Sequence, residues 1–259
     1  MRIVFFGAGR LATNLAPALH RAGHEILQVY SRTMESALAL GNTVGAAATS
    51  DLQEVSAMAD CYIFSVSDKV LPQLITQLGR DREQALFVHT AGSVSLSVFQ
   101  NCVSRYGVLY PMQTFSKERR VDFTEIPVFI EGNDDKTLEE IRALAASVSR
   151  NVTVLSSESR RHIHLAAVFA CNFANHCYAL SADILKEHGV DFSVMLPLID
   201  ETARKVHELA PADAQTGPAV RFDENVIAAQ TKLLENLPRH AQIYELMSKS
   251  IHEKSLEQI

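Results

Sequence analysis

The chain contains no run of roughly 18 apolar residues, so nothing in it reads as a membrane-spanning helix. No charged-then-apolar leader precedes the first strand pattern, which begins at residue 2, and the expectation is a cytoplasmic protein without a secretion signal. Cysteines are few (Cys61, Cys102, Cys171, Cys177) and form neither a CxxC pair nor a metal-finger spacing. They read as free thiols in a reducing compartment, and no metal is expected. Positive charge is in deficit: 24 Lys and Arg stand against 30 Asp and Glu, a net charge of −6. That removes any global attraction to nucleic acid or an anionic membrane, so an anionic ligand would have to be held by local groups. Internal repeats and low-complexity segments are absent. What is present is 259 residues, 47% hydrophobic and 21% charged, an ordinary globular composition that allows one large domain or two modest ones.

Up to about residue 155 the chain alternates strand-like and helix-like patterns. Strand patterns cover 2–6, 25–30, 61–65, 85–89, 107–110, 127–131 and 152–155, with helical patterns at 11–21, 34–40, 70–78 and 136–148 between them. Such alternation argues for a mostly parallel sheet with helices on both faces. The strands are short apolar runs, as strands covered on both faces should be. After Ser156 the strand signals stop, and helices are expected at 157–185, 192–209, 224–237 and 238–256. The expected architecture is therefore an α/β domain over 1–156 followed by an all-α domain over 157–259. The 157–185 helix is apolar nearly all round (Ile163, Leu165, Val168, Phe169, Phe173, Leu180), which predicts burial on several sides and, in so small a domain, burial partly against a second subunit. A homodimer through the helical domain is expected.

The opening segment carries the strongest chemical signal. The run Arg2-Ile-Val-Phe-Phe ends in Gly7-x-Gly9-x-x-Ala12, and a helical pattern follows at once. This is the strand, tight turn and helix start of a Rossmann-like dinucleotide-binding unit, or else a purely structural glycine turn. On the binding reading Gly7 permits the turn, Gly9 lets backbone approach a pyrophosphate, Ala12 allows close helix–strand packing, and Arg10 and Leu11 open the helix whose N-terminus faces the phosphates. An NAD site places an acid near the end of the second strand. Here that strand ends Tyr30-Ser31-Arg32-Thr33, and Glu25 lies at its far end. Ser31 and Arg32 offer a hydroxyl and a guanidinium to a 2′-phosphate, so NADP is expected rather than NAD. The bland alternative makes Ser31 a helix cap and Arg32 a solvated charge. Val66 and Ser67, after the strand at 61–65, and Ala91 and Gly92, after that at 85–89, are expected to border the ribose and nicotinamide, or to be plain turn residues.

Two further places suggest chemistry. Gln113, Thr114 and Ser116 follow the strand ending at Tyr110 and could face a substrate or simply form a turn. On the long helix, His164, Asn172 and Asn175 fall within about 80° of one another at 100° per residue. A polar stripe on an apolar helix is costly unless satisfied. It is either a core network or a cleft lining in which His164 transfers a proton and Asn172 orients a carbonyl or imine. His162, Arg160 and Arg161 are expected at the surface, and His162 and His164 do not share a helix face that could hold a metal. Arg221, in the Gly217-Pro218 loop, would pair with Asp223 or hold a substrate carboxylate.

With Gly7-x-Gly9-x-x-Ala12, the run Leu109-Tyr-Pro-Met-Gln-Thr-Phe-Ser116 and Thr216-Gly-Pro-x-x-Arg221-x-Asp223 in place, the chain resembles an uncharacterised bacterial family of Rossmann-like NADP oxidoreductases with a helical C-terminal domain of unknown function. It is more distantly similar to the β-hydroxyacid dehydrogenase, ketopantoate reductase, pyrroline-5-carboxylate reductase and prephenate dehydrogenase group. The resemblance implies an NADP-binding N-terminal domain and a helical dimerisation domain. The hydroxyacid dehydrogenases carry Lys four residues before a helix Asn; if Asn172 is that Asn, Val168 replaces the Lys and their acid–base chemistry does not transfer. Prephenate dehydrogenases have His-Pro where this chain has Tyr110-Pro111. The expected activity is hydride transfer between a nicotinamide and a small carbonyl, imine or hydroxy compound, with His164, Asn172 and Thr114 catalytic and Gln113, Asn175 and Arg221 on the substrate, Arg221 for an anionic group where the substrate carries one. The rival expectation is a non-catalytic NADP-binding sensor or scaffold.

Overall fold

The computed structural model describes residues 1–78, 82 and 84–257. The chain divides into two compact units, Met1–Asn172 and Phe173–Ile259.

The first unit is built on one eight-stranded sheet: β1 (Arg2–Phe6), β2 (Glu25–Tyr30), β3 (Ala47–Thr49), β4 (Cys61–Phe64), β5 (Leu86–His89), β6 (Arg105–Pro111), β7 (Val128–Gly132) and β8 (Val152–Val154), in the order β3-β2-β1-β4-β5-β6-β7-β8. Every pairing is parallel except β6 with β7. The sheet is mostly parallel, as the alternating sequence predicts. Its short β3 has no counterpart in the sequence reading, because Ala47-Ala48-Thr49 lacks the bulky apolar signal; pairing with Gln28–Tyr30 of β2 makes it a strand. Alternate residues of β1 feed two cores. Ile3 and Phe5 pack with α1 (Ala12–Arg21), α2 (Met34–Val44) and α4 (Asp135–Ala146) on one face, and Val4 and Phe6 pack with Tyr62, Phe64, Phe87 and α3 (Leu71–Leu78) on the other. Helices cover both faces, so the strands are buried along their length.

The chain runs outward from β1 to β3, then returns across the sheet to β4. The order reverses between β1 and β4, and open α/β sheets bind ligands at the carboxyl ends of their strands at such a switch point. Beyond β8, α5 (Ser157–Ala167) starts at Ser156, whose side chain accepts from Ser159 N. The sequence predicts one α-helix over 157–185. The structure instead interrupts it with a π-helical segment at Val168–Phe173 before α6 (Ala174–Glu187).

The second unit is helical: α6 is followed by a 3₁₀ turn at Phe192–Met195 and by α7 (Leu196–Glu208), α8 (Glu224–Leu233) and α9 (Pro238–Leu256). Its long loop is pinned to α9, where Phe222 stacks on His252 at 4.6 Å and Ser255 Oγ donates to the Val220 carbonyl at 3.2 Å. Among the described residues no helix is long and apolar enough to cross a membrane.

Candidate functional site

A cleft of about 670 Å³ opens at the carboxyl ends of β1, β2 and β4. Its walls bring together six residues singled out from sequence: Gly7, Gly9, Ser31, Arg32, Val66 and Ser67. Gly7 is obligatory twice over. Its φ is +100°, and a Cβ there would lie 2.2 Å from the Ser65 carbonyl oxygen. Gly9 differs, since a Cβ would meet nothing within 4 Å. Its backbone is bare toward open space beside the first turn of α1, which is the room a phosphate needs at a helix N-terminus. Arg10, Leu11 and Ala12 form the approach to that turn rather than the cleft wall; Ala12 is wholly buried, packed in the core on the α1 face of the sheet.

The cleft's charge is one-sided. Arg32 and Lys117 line it together with the hydroxyls of Ser31, Thr33, Ser36 and Ser67, and among the described residues no carboxylate does. In a chain of net charge −6 this is a local reversal that suits a polyanion. Ser31 does not cap α2; Thr33 occupies the cap position, and its hydroxyl donates to Ser36 Oγ at 2.9 Å. Arg32 is exposed and makes no ion pair among the described residues, so its guanidinium is available to a ligand. These residues fit a dinucleotide carrying a 2′-phosphate: a bare glycine turn for the pyrophosphate, a strand tip without the ribose-binding acid, and a cation in its place.

Ala91 and Gly92 stand apart from that cleft, at the loop after β5. A Cβ on Gly92 would lie 2.6 Å from His164 Nδ1 and 3.0 Å from the Tyr110 ring, so only glycine lets the loop pass. His164 Nδ1 is 2.9 Å from the Tyr110 hydroxyl, with the two rings edge to face at 5.9 Å. The loops after β4 and β5 are joined by a short hydrogen bond from Ser93 Oγ to Asp68. Burial pushes the Tyr110 phenol above its ordinary pKa, and the positive charge of Arg160 works in the opposite direction.

Arg160 corrects the sequence reading, which put it at the surface. It is fully buried. Its guanidinium donates to Glu131 at 2.6 Å, to Ser157 Oγ at 3.2 Å and to the Val94 carbonyl, and these partners make the burial tolerable. Glu131 also accepts from Ser157 N and Oγ, at 2.9 and 2.6 Å. The start of α5 is thereby clamped to the end of β7, one helical turn before His164. Beside Arg160 lies His89, wholly buried, whose Nδ1 accepts from Ala91 N at 3.2 Å. Burial first, and the Arg160 charge second, lower its pKa to about 3, so it is neutral.

The remaining predicted residues are not drawn into this pair. Gln113 and Thr114 are exposed and bond to each other, Thr114 N donating to Gln113 Oε1 at 2.8 Å. The π-helical turn begins at Val168, so the 100°-per-residue count that aligned His164 with Asn172 and Asn175 no longer holds. Both asparagines are exposed, Asn172 in the first unit and Asn175 in the second. Arg221 is exposed, and Asp223 does not pair with it but caps α8, accepting from Val226 N at 3.3 Å. Sequence reasoning passed over Tyr110 except as a departure from a family pattern, and missed Lys117 and Glu131 altogether. The only available signal for Tyr110 was its place at the carboxyl end of a strand.

A glycine turn at the switch point, a cation-lined cleft and a His–Tyr pair at the neighbouring strand ends define a nucleotide-dependent oxidoreductase of the Rossmann class. Comparison with known proteins agrees. Residues 2–92 match the family model described as NADP oxidoreductase, coenzyme F420-dependent, and residues 126–251 match a domain of unknown function, DUF2520. The crystal structure of a Bacteroides fragilis protein, provisionally named an NADP oxidoreductase, is 54% identical, covers 97% of this chain and 98% of its own, and superposes with a TM-score of 0.95. The chain belongs to this family of NADP oxidoreductases. A Thermotoga maritima protein shares the fold at 23% identity, over 98% of this chain and 99% of its own, with a TM-score of 0.81. So does an imine reductase from Myxococcus stipitatus solved with NADP⁺, at 16% identity, over 98% of this chain and 93% of its own, with a TM-score of 0.71. Among curated proteins none matches the chain.

Proposed function

We propose that this protein transfers hydride between NADP and a small carbonyl, imine or hydroxy compound, with the Tyr110–His164 pair handling the proton. When bound, the cofactor supplies or accepts hydride at its nicotinamide C4. Gly7 and Gly9 provide the approach for its pyrophosphate, Ser31 and Arg32 receive its 2′-phosphate, and Val66, Ser67, Ala91 and Gly92 border its ribose and nicotinamide. One observation carries the catalytic part: the 2.9 Å contact between Tyr110 and His164 stands directly against Gly92, at the carboxyl edge of the sheet. With the phenol donating to Nδ1, the neutral imidazole carries its hydrogen on Nε2, where it can meet a substrate oxygen or nitrogen. Burial, the larger influence, raises the Tyr110 pKa against the opposing charge of Arg160, so the phenol keeps its proton and serves to hold the His164 ring in this orientation.

Within the first unit the exposed Gln113, Thr114 and Asn172 are available to orient a substrate; in the second, by itself, Asn175 is exposed and Arg221, exposed and without an acidic partner among the described residues, is free to take an anionic group. The helical unit is proposed to dimerise. The decisive experiment couples cofactor affinity with turnover on a panel of carbonyl, imine and hydroxy compounds. His164→Ala should lower kcat by about a hundredfold or more while changing the NADPH Kd by no more than about twofold, and Tyr110→Phe should lower kcat by about tenfold. A His164→Ala variant with full turnover would sink the assignment of His164, and a wild type that binds NADPH yet turns over nothing would favour the sensor.

A further inference from the structure

The 16 residues between β6 and β7, 112–127, accompany the one reversal of direction in the sheet. One buried polar side chain, that of Asn14, fastens the middle of this segment to α1. Asn14, on the first turn of α1 and 6% exposed, donates from Nδ2 to the Ser116 carbonyl at 2.9 Å and accepts at Oδ1 from Val121 N at 3.3 Å. The same Nδ2 donates to the Arg10 carbonyl at 2.9 Å, which ties the arrangement to the glycine turn itself. Phe115 stacks on Phe123 at 5.6 Å and the latter is buried in the core, so both flanks of the loop are anchored. Between the two pins the chain reads Lys117-Glu118-Arg119-Arg120, three cations and one acid, all exposed. Of these only Lys117 lines the glycine cleft.

We infer that Lys117 binds the pyrophosphate of the dinucleotide, delivered to it by a strap that Asn14 fastens to α1. This rests on the proposed NADP site. The assignment to the pyrophosphate rather than the 2′-phosphate follows from the tether. Ser31, Arg32, Thr33 and Ser36 cluster at the tip of β2 and the start of α2, where a 2′-phosphate is read. Lys117 adjoins Ser116, whose carbonyl is fastened to the α1 turn that faces the phosphates at Gly9. The residue types agree with the division. A forked guanidinium suits a terminal phosphate, and a compact ammonium suits charge shared between two bridged phosphates. Asn14 is on this account a positioning residue, and its burial with three hydrogen bonds is explained by the strap it holds.

The test is titration of NADPH and NADH into wild type, Lys117→Gln, Lys117→Arg and Arg32→Ala by calorimetry at two salt concentrations. Lys117→Gln should weaken both dinucleotides by the same factor, roughly tenfold, and lessen the salt dependence; Lys117→Arg should restore most of the affinity. Arg32→Ala should weaken NADPH alone. Asn14→Ala should weaken binding in the Lys117 background and add little to Lys117→Gln. Unchanged affinity in Lys117→Gln, or loss confined to NADPH, overturns the inference while leaving the cofactor assignment in place. No binding of either dinucleotide to the wild type overturns the cofactor assignment first, and the inference with it.

Discussion

His89 shows how one residue's surroundings set a property of the whole chain. It sits at the end of β5, stacked on Phe99 at 5.6 Å, with no exposed surface. Its folded pKa of about 3 lies well below the ordinary value near 6.5. Between those values the unfolded chain takes up a proton that the native state refuses, so stability is fully present above about pH 6.5 and falls as pH drops. His24, lowered by burial and by the neighbouring N-terminus, acts in the same direction. The depressed carboxyls of Asp60, Asp122, Asp134 and Asp191 lose their stabilising effect only at lower pH still. Denaturant unfolding at pH 6.5 and 4.5 should therefore show a loss of about 2 kcal/mol in wild type that is absent from the difference measured in His89→Gln. Equal pH slopes in the two proteins would show that His89 is protonated in the fold.

At the scale of elements, the placement of α5 depends on one ion pair. The Arg160 side chain is 1% exposed and that of Glu131 18%, and together with Ser157 they fix the first turn of the helix to the end of β7. A buried guanidinium stripped of its carboxylate is strongly destabilising, whereas an apolar pair of similar volume is tolerated. Glu131→Ala should thus lower unfolding free energy by about 3 kcal/mol, and Glu131→Leu combined with Arg160→Met should recover most of that. His164 rides on the same helix one turn later, so Glu131→Ala should also cut turnover without touching the cleft at Gly9. Full stability in Glu131→Ala would mean that the pair does not anchor the helix. The same helix also changes the count on which the polar stripe read from sequence rested. A 3.6-residue period is a fair expectation for 157–185, but the π-helical turn at Val168–Phe173 resets the phase between His164 and Asn172.

For the whole molecule the decisive quantity is uncovered apolar surface. The sequence predicts a long helix buried on several sides, yet in the single chain Leu165 is 55% exposed and Phe169 63%. In the helical unit Leu198 is 63% and Leu246 69% exposed. Isolated exposed leucines need no explanation, but a helical unit with this many of them offers the surface that the proposed dimer would cover, a second copy of the chain being the commonest partner. Sedimentation of the wild type should give twice the chain mass, and the double variant Leu198→Glu, Leu246→Glu should give the monomer mass with its NADPH affinity retained. A monomeric wild type would remove the dimer.

The sequence alone determined the alternation of strands and helices apart from β3 and the π-helical turn, the Gly7-x-Gly9 turn, the missing acid after β2 and the change to helices beyond Ser156. These are local features, written in alternation, in the 3.6-residue period and in glycine's conformational freedom, and neighbours along the chain suffice to express them. Tertiary structure decided the rest. Tyr110 meets His164 across 54 positions, Arg160 meets Glu131 across 29, and Asn14 holds the Lys117 strap across 102. No periodicity links such pairs. They exist because β6 turns back into β7 and because the sheet packs α1 and α5 at fixed places along its carboxyl edge. A buried arginine and an exposed one are also the same letter until a carboxylate from another element arrives to satisfy it.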